Sequence, residues 1–180
     1  MSMQLWDSRH FERIFVDNVP LLDVRAPVEF AQGAFPCAVN MPILTDKERE
    51  QVGICYKTQG PKAAVALGHQ LVSGEVKSSR VSAWQRFFAE HPHGALYCFR
   101  GGQRSRIAQQ WLQEIGVSVP RIQGGYKAMR RFLMTRLAEL CASDNFVVIG
   151  GRTGTGKTRL LQAFAKAVDL EAAANHRGSA

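Results

Sequence analysis

The chain has 180 residues, 46% of them apolar, with 23 basic and 15 acidic side chains and a net charge of +8. That apolar content suffices to bury a core for one domain or one and a half, and the positive balance favours a polyanionic partner, nucleic acid first, although a basic, merely solvated surface stays open on composition alone. A disulfide framework and a zinc staple are not expected, because Cys37, Cys55, Cys98 and Cys141 make no C-x-x-C pair, and no apolar run reaches membrane-spanning length. Reduced thiols suit the cytoplasm. The charged run Arg9-His10-Phe11-Glu12-Arg13 interrupts anything resembling a signal peptide. We expect a monomer with no membrane association.

Residues 8–16 mix apolar and charged positions as a short helix does. Pro20 to Arg25 reads as a buried strand ending in charge, and Asp23 and Arg25 are read as tying loops together rather than as catalysts. A turn or short helix follows at Ala26 to Phe30, then a break at Gly33 to Pro36 and a second strand at Ala38 to Pro42. Residues 46–58 read as a helix with Asp46 as its N-cap. Gly60-Pro61 punctuates, and Ala63, Ala64, Leu67, Leu71 and Val72 line one face of a further helix. Residues 76–90 form an amphipathic helix whose Val81, Trp84, Phe87 and Phe88 belong to the core, not to a base-stacking platform. His91-Pro92-His93 is a helix stop rather than a metal site.

Ala95-Leu96-Tyr97 reads as a short buried strand, and a helical pattern begins at Arg106. Between them lies Cys98-Phe99-Arg100-Gly101-Gly102-Gln103-Arg104-Ser105, so a cysteine stands where a strand ends and a helix begins. Two glycines let the backbone curl until successive N–H groups face one spot, and the helix start adds positive potential there. Arg100, Arg104 and Arg106 add full charges nearby. A thiol in that setting is expected to ionise easily and to act as a nucleophile inside an anion cradle. The helix ends at about Ile115. Val117 to Ile122 reads as another strand and Gln123 to Tyr126 as a turn. Lys127 to Leu140 is helical, with Phe132, Leu133, Leu137 and Leu140 inward and Lys127, Arg130, Arg131 and Arg136 largely outward, where they suit RNA phosphates or plain solvent. Strands alternating with helices predict an α/β domain with a mostly parallel central sheet flanked by helices.

The polar stretch Ala142 to Asn145 makes a boundary, giving expected domains at residues 1–143 and 144–180. Beyond it, Phe146-Val147-Val148-Ile149-Gly150 reads as a buried strand, Gly151 to Thr158 matches the phosphate-loop pattern G-x-x-x-x-G-K-[ST], and Arg159 to Val168 reads as the following helix. In that pattern Gly151, Gly154 and Gly156 allow amides to cradle phosphates, Lys157 reaches the terminal phosphates and Thr158 suits a Mg²⁺ ion. One strand and one helix cannot bury their own apolar faces. We therefore expect this chain to be the front of a longer protein, with the start of a phosphate-loop domain at its end.

With both loops in view, the chain resembles the bacterial tRNA 2-selenouridine synthase family. The likeness rests on rhodanese-type features: Asp23-Val24-Arg25, Glu29-Phe30, Gly33, Ala38-Val39-Asn40-Met41-Pro42, the Cys98 loop and Gly124-Gly125-Tyr126. It rests further on Val52-Gly53-Ile54-Cys55-Tyr56-Lys57-Thr58-Gln59-Gly60 with Ala66-Leu67-Gly68, a stretch that ordinary rhodaneses lack. The phosphate loop, Asp169-Leu170-Glu171 and His176-Arg177-Gly178-Ser179 follow in the family's order. Two departures stand out. Gly33-Ala34-Phe35 replaces the usual Gly-His-Ile, and the arginine comes one place later than in common rhodanese loops. The longer loop is closer to rhodanese-fold phosphatases and is sized for a tetrahedral, phosphate-like group.

The resemblance implies a rhodanese-like domain followed by a phosphate-loop domain, and a transferase that replaces sulfur by selenium in the wobble 2-thiouridine of Lys, Glu and Gln tRNAs. Selenophosphate is the implied donor, with Cys98 as the catalytic residue carrying selenium as a selenylsulfide. Arg100, Gly101, Gly102, Gln103, Arg104 and Ser105 are then the supporting loop. The thiouridine is S-geranylated on the way, so the Gly151 to Thr158 loop would seat geranyl diphosphate or a nucleotide. Two other chemistries suit the same cysteine: a sulfurtransferase working through a Cys98 persulfide, and a phosphatase using Cys98 and Arg104.

Overall fold

In the computed structural model, which describes residues 4–173, five short strands form one sheet in the order β1-β5-β4-β2-β3. They are β1 (Leu5–Trp6), β2 (Leu21–Asp23), β3 (Ala38–Asn40), β4 (Ala95–Tyr97) and β5 (Arg121–Ile122). Every pairing is parallel, and the central register sets Leu21, Leu22 and Asp23 beside Ala95, Leu96 and Tyr97. A parallel sheet covered on both faces wants apolar residues at consecutive positions, and β2 and β4 are buried at all of theirs.

Alternation sorts the side chains. Leu22, Val24, Leu96 and Cys98 enter one core with Trp84, Phe87, Phe88, Trp111 and Leu112. Leu21, Ala95 and Tyr97 enter the other with Phe11, Ile14, Phe35, Ile122 and Met129. The first face is covered by α3 (Asp46–Leu71), α4 (Gly74–Glu90) and α5 (Gln103–Glu114), the second by α1 (Phe11–Val16) and the first half of α6 (Gly125–Ser143). A short α2 (Pro27–Ala31) follows β2. Chain contacts divide the molecule into two compact units, Met1–Leu137 and Ala138–Ala180. Within the second, the short helices α7 (Lys157–Leu161) and α8 (Leu170–Ala173) are the regular elements wholly inside it among the described residues.

Several expectations change. The cap of α3 is Thr45, not Asp46: the Thr45 hydroxyl accepts from the Glu48 N–H while the Glu48 carboxylate accepts from the Thr45 N–H, a reciprocal box that places Asp46 in the first turn. The break expected at Gly60-Pro61 holds: Gly60 leaves the helical region (φ 87°, ψ 177°), so α3 is two helices in series. Val117 to Pro120 stays outside the sheet, so β5 has two residues instead of six. Leu137 and Leu140 are 62% and 42% exposed, not inward, while Phe132 and Leu133 do pack on the second core. Residues 146–150 pair with no strand among the described residues, and Val147 is 91% exposed. The helix expected over Arg159 to Val168 is reduced to α7. The His176 to Ser179 stretch lies outside the described residues.

Candidate active site

Cys98 follows β4 directly and shares the face of Leu96. Its side chain is only 3% exposed, and Sγ lies 3.1 Å from the hydroxyl of Ser105, which is fully buried. The Ser105 hydroxyl in turn donates to the Gly102 carbonyl at 3.2 Å. A hydroxyl rotates freely, so the same Ser105 accepts from a thiol or donates to a thiolate. The sulfur thus sits beneath the loop, held by a polar partner inside an otherwise apolar cluster.

The backbone around it is sorted by role. The Cys98 and Phe99 carbonyls accept from the N–H groups of Tyr126 and Lys127, at 2.9 and 3.0 Å, in the first turn of α6. The main-chain N–H groups of residues 99–105 have no acceptor among the described residues. A loop whose carbonyls are engaged and whose amides are spare is the arrangement an oxyanion requires. Two glycines make the approach possible. Gly101 has φ +64°, and a Cβ there would stand 2.7 Å from the Gly124 nitrogen and from the Ile122 oxygen. Gly125 has φ +57°, and a Cβ there would overlap the Cys98 carbonyl oxygen.

The arginines are not distributed as the sequence suggests. The Arg104 guanidinium donates two hydrogen bonds to the Glu29 carboxylate, one of them, from Nη2 to Oε1, at 3.0 Å. Arg49 approaches the same carboxylate at 3.2 Å. Burial pushes the Glu29 pKa up, but the hydrogen bonds and charge of Arg104 prevail and hold it below the usual carboxylate range. Arg106 turns to the side-chain oxygen of Gln103 at 2.9 Å, and both are exposed. Arg100 is exposed, 5.9 Å over the ring of Phe99. A residue the sequence reading missed also reaches the loop: Arg121, on β5, donates to the Gly101 carbonyl. Burial lowers its pKa and Arg106 adds to that, while the Cys98 sulfur acts in the opposite direction. No local pattern marks Arg121; only strand order brings it there.

Asp23 and Arg25 tie loops together, as expected. Both are essentially buried, and the guanidinium meets the carboxylate at 2.6 and 2.8 Å. It also donates to the Gly33 carbonyl at 2.8 Å and lies 4.0 Å over the Tyr126 ring. Asn40 closes the set by donating to the carbonyls of Asp23 and Arg25. One buried pair therefore joins the ends of β2 and β3, the Gly33 turn and the start of α6, which in turn grips the Cys98 loop. Tyr97 belongs to this region, with a hydroxyl that has no hydrogen-bond partner among the described residues. Burial and the negative Asp23 both push its pKa far up, so it stays a neutral phenol.

The phosphate-loop residues form a separate, exposed turn. Gly154 and Gly156 take φ of 83° and 81°. The Lys157 ammonium donates to the Gly151 and Arg152 carbonyls at 2.8 and 3.0 Å, and the Thr155 hydroxyl donates to Arg152 at 2.8 Å. Thr158 is exposed in the first turn of α7. No group of three His, Cys, Asp or Glu side chains suited to a metal occurs among the described residues. The four cysteines are free thiols, of which Cys141 is exposed, Cys37 half-buried, and Cys55 and Cys98 buried. No helix among the described residues is long and apolar enough to cross a membrane.

Residues 8–131 match the family model described as Rhodanese-like domain, and residues 144–180 match one described as tRNA 2-selenouridine synthase AAA domain. A tRNA 2-selenouridine synthase of Marinobacter nauticus is 55% identical over 96% of this chain and 47% of its own length. One from Bordetella bronchiseptica is 58% identical over the same shares. The chain thus spans about half the length of the curated relatives it matches. Among solved structures, the N-terminal domain of a Clostridium difficile 630 protein described as ATP/GTP binding superposes with a TM-score of 0.61 at 30% identity, covering 73% of this chain and 99% of that one.

Proposed function

Because the chain belongs to the rhodanese-like domain family, and matches tRNA 2-selenouridine synthases over about half their length, we propose that it supplies the chalcogen-transfer site of such an enzyme, working in the cytoplasm as a monomer. Cys98 is the nucleophile, and the acceptor is the wobble 2-thiouridine of Lys, Glu and Gln tRNAs, S-geranylated before selenium enters. The observation that carries this reading is the sorting of the Cys98 loop: a sulfur paired with Ser105, engaged carbonyls, and unengaged amides from Phe99 to Ser105. Those amides, with Arg100, Gly101, Gly102, Gln103 and Arg104 around them, suit the phosphoryl end of selenophosphate. Arg121 belongs with this group. Exposed Arg100, Lys127, Arg130 and Arg131 have no carboxylate partner among the described residues and suit the phosphates of tRNA.

Electron count constrains the transfer step. If the Cys98 thiolate forms an S–Se bond and the Se–P bond breaks, phosphorus keeps the bonding pair and departs as phosphite. If water takes the phosphorus instead, phosphate departs and selenium stays at the selenide level, with no bond to sulfur. Residues 144–180 are the start of a second domain in this reading, following a first domain of residues 1–143. The Gly151, Gly154, Gly156, Lys157 and Thr158 turn would hold a diphosphate, of a nucleotide or of geranyl diphosphate. Thr158 alone does not constitute a Mg²⁺ site, and no step here uses one.

Mass spectrometry after incubation with selenophosphate tests the carrier role. One selenium on the Cys98 peptide, absent in Cys98→Ser, with phosphite in the ³¹P spectrum, is the expected result. Selenouridine formed at an undiminished rate by a full-length Cys98→Ser enzyme would overturn it. Thiocyanate production from thiosulfate and cyanide without tRNA would favour the persulfide reading, and turnover of an aryl phosphate the phosphatase reading.

A further inference from the structure

Phe99, the residue after the nucleophile, is the one aromatic side chain in the loop; from Arg100 to Ser105 the rest is glycine, polar or charged. It is half-buried, and its carbonyl is pinned by the Lys127 N–H at 3.0 Å. Its ring stacks with that of Tyr126, the centroids 6.1 Å and the planes 24° apart. Tyr126 is held in turn: its N–H donates to the Cys98 carbonyl at 2.9 Å, and the buried Arg25 guanidinium lies 4.0 Å over its ring. The Phe99 ring is thus ordered in advance, and a partner that stacks on it loses little freedom of the protein's in doing so.

Cations flank this ring. The guanidinium of Arg100, the next residue, is exposed and 5.9 Å from the Phe99 centroid. Lys127, whose N–H holds Phe99, is exposed too, and Arg130 and Arg131 follow it on α6. An aromatic face among unpaired cations is the arrangement that holds single-stranded nucleic acid, with a base on the ring and phosphates along the charges. The spacing is close to what a base requires. Bases stack about 3.4 Å apart, so one lying between ring and guanidinium needs about 7 Å. Arg100 has to withdraw by only about 1 Å, and an exposed side chain is free to do so. A guanidinium stacks through its face and donates through its edge, so Arg100 can cover a base and still meet a phosphate.

We propose that Phe99 is the stacking seat of the base that reacts at Cys98, with Arg100 closing over the base's free face. The inference rests on the reading of the Cys98 loop as the site that meets tRNA, and adds the residue that positions the base there. Stacking is indifferent to the atom at a base's 2-position, so Phe99 places the base and leaves the choice of thiouridine to other groups. A ring that merely covered Tyr126 would be replaceable by an aliphatic side chain of similar size, and this separates the two roles.

The test is fluorescence anisotropy of the 180-residue chain with two five-nucleotide RNAs, one with 2-thiouridine at its centre and one abasic there. The unmodified chain is expected to bind the first about 5- to 150-fold more tightly, the worth of one base on an aromatic ring. Phe99→Leu, checked for a native melting transition, should bind both RNAs alike, as weakly as the unmodified chain binds the abasic one. Phe99→Tyr should restore the preference, and Phe99→Trp, with a larger face, should widen it. Equal affinity of the unmodified chain for the two RNAs would overturn the stacking seat alone. Failure to bind either RNA would overturn the tRNA reading with it. A preference that persists in folded Phe99→Leu would assign the base to another residue and overturn the proposal. If Phe99→Leu does not fold, Phe99→Trp decides: a preference no wider than in the unmodified chain overturns it.

Discussion

Two segments of this chain look alike on paper and differ in space. Ala95-Leu96-Tyr97 precedes the Cys98 loop, and Phe146-Val147-Val148-Ile149 precedes the phosphate loop; each is an apolar run leading into a glycine-rich turn and a helix. The first is a strand with every side chain buried, hydrogen-bonded between β2 and β5. The second pairs with nothing among the described residues, and Val147 and Val148 are 91% and 86% exposed. The difference teaches that an apolar β-branched run specifies a strand only when neighbours supply its ladder. The loops follow suit. One is anchored from outside by α6 and a buried ion pair; in the other, Lys157 satisfies carbonyls of its own turn.

That contrast can be broken by mutation, read as unfolding free energy in urea. Asp23→Ala should cost most, about 3–5 kcal/mol, because it strands the Arg25 guanidinium in a dry interior. Loss under 1 kcal/mol would mean that the pair does not anchor the first site. Leu96→Ala should cost about 3 kcal/mol as a core truncation. Gly125→Ala should cost about 2–3 kcal/mol through overlap with the Cys98 carbonyl at a positive φ, and should lower any selenium loading in parallel.

Glu29→Gln should cost about 1–2 kcal/mol, since Arg104 loses a partly exposed charged partner. The pH dependence sharpens this. The folded-state pKa of Glu29 lies below its unfolded value, so its contribution is complete above the ordinary carboxylate range and vanishes as pH falls through the lowered value. The parent chain and Glu29→Gln should therefore differ at neutral pH and converge in acid. Val147→Ala should change stability by less than about 0.5 kcal/mol. An effect near that of Leu96→Ala would show that the second segment is buried after all.

Much of the first unit was legible because periodicity and burial agree there. The strands at Leu21, Ala38 and Ala95, the amphipathic helix with Trp84 and Phe87, and the strand-to-helix placement of Cys98 all follow from local pattern. The cap at Thr45 was misplaced by one residue, since Thr45 and Asp46 both carry suitable oxygens and only the reciprocal bond to Glu48 selects between them. Glu29 and Arg121 could not be found from their surroundings in the chain. Glu29 meets Arg104 across 75 residues and Arg121 meets Gly101 across 20, and both contacts depend on how the strands are ordered. The Gly124-Gly125 pair was visible as a turn, but the hold of the following Tyr126 N–H on the Cys98 carbonyl was not.

The unequal cover over the four thiols governs how the nucleophile can be assayed. Cys141 is the outermost and Cys98 among the innermost, so a maleimide or iodoacetamide will report on the end of α6 long before it reports on position 98. Alkylation counted over the whole protein would then look fast and indifferent to substrate. A background carrying Cys37→Ser, Cys55→Ser and Cys141→Ser turns the same reagents into a clock for ligand protection of the site.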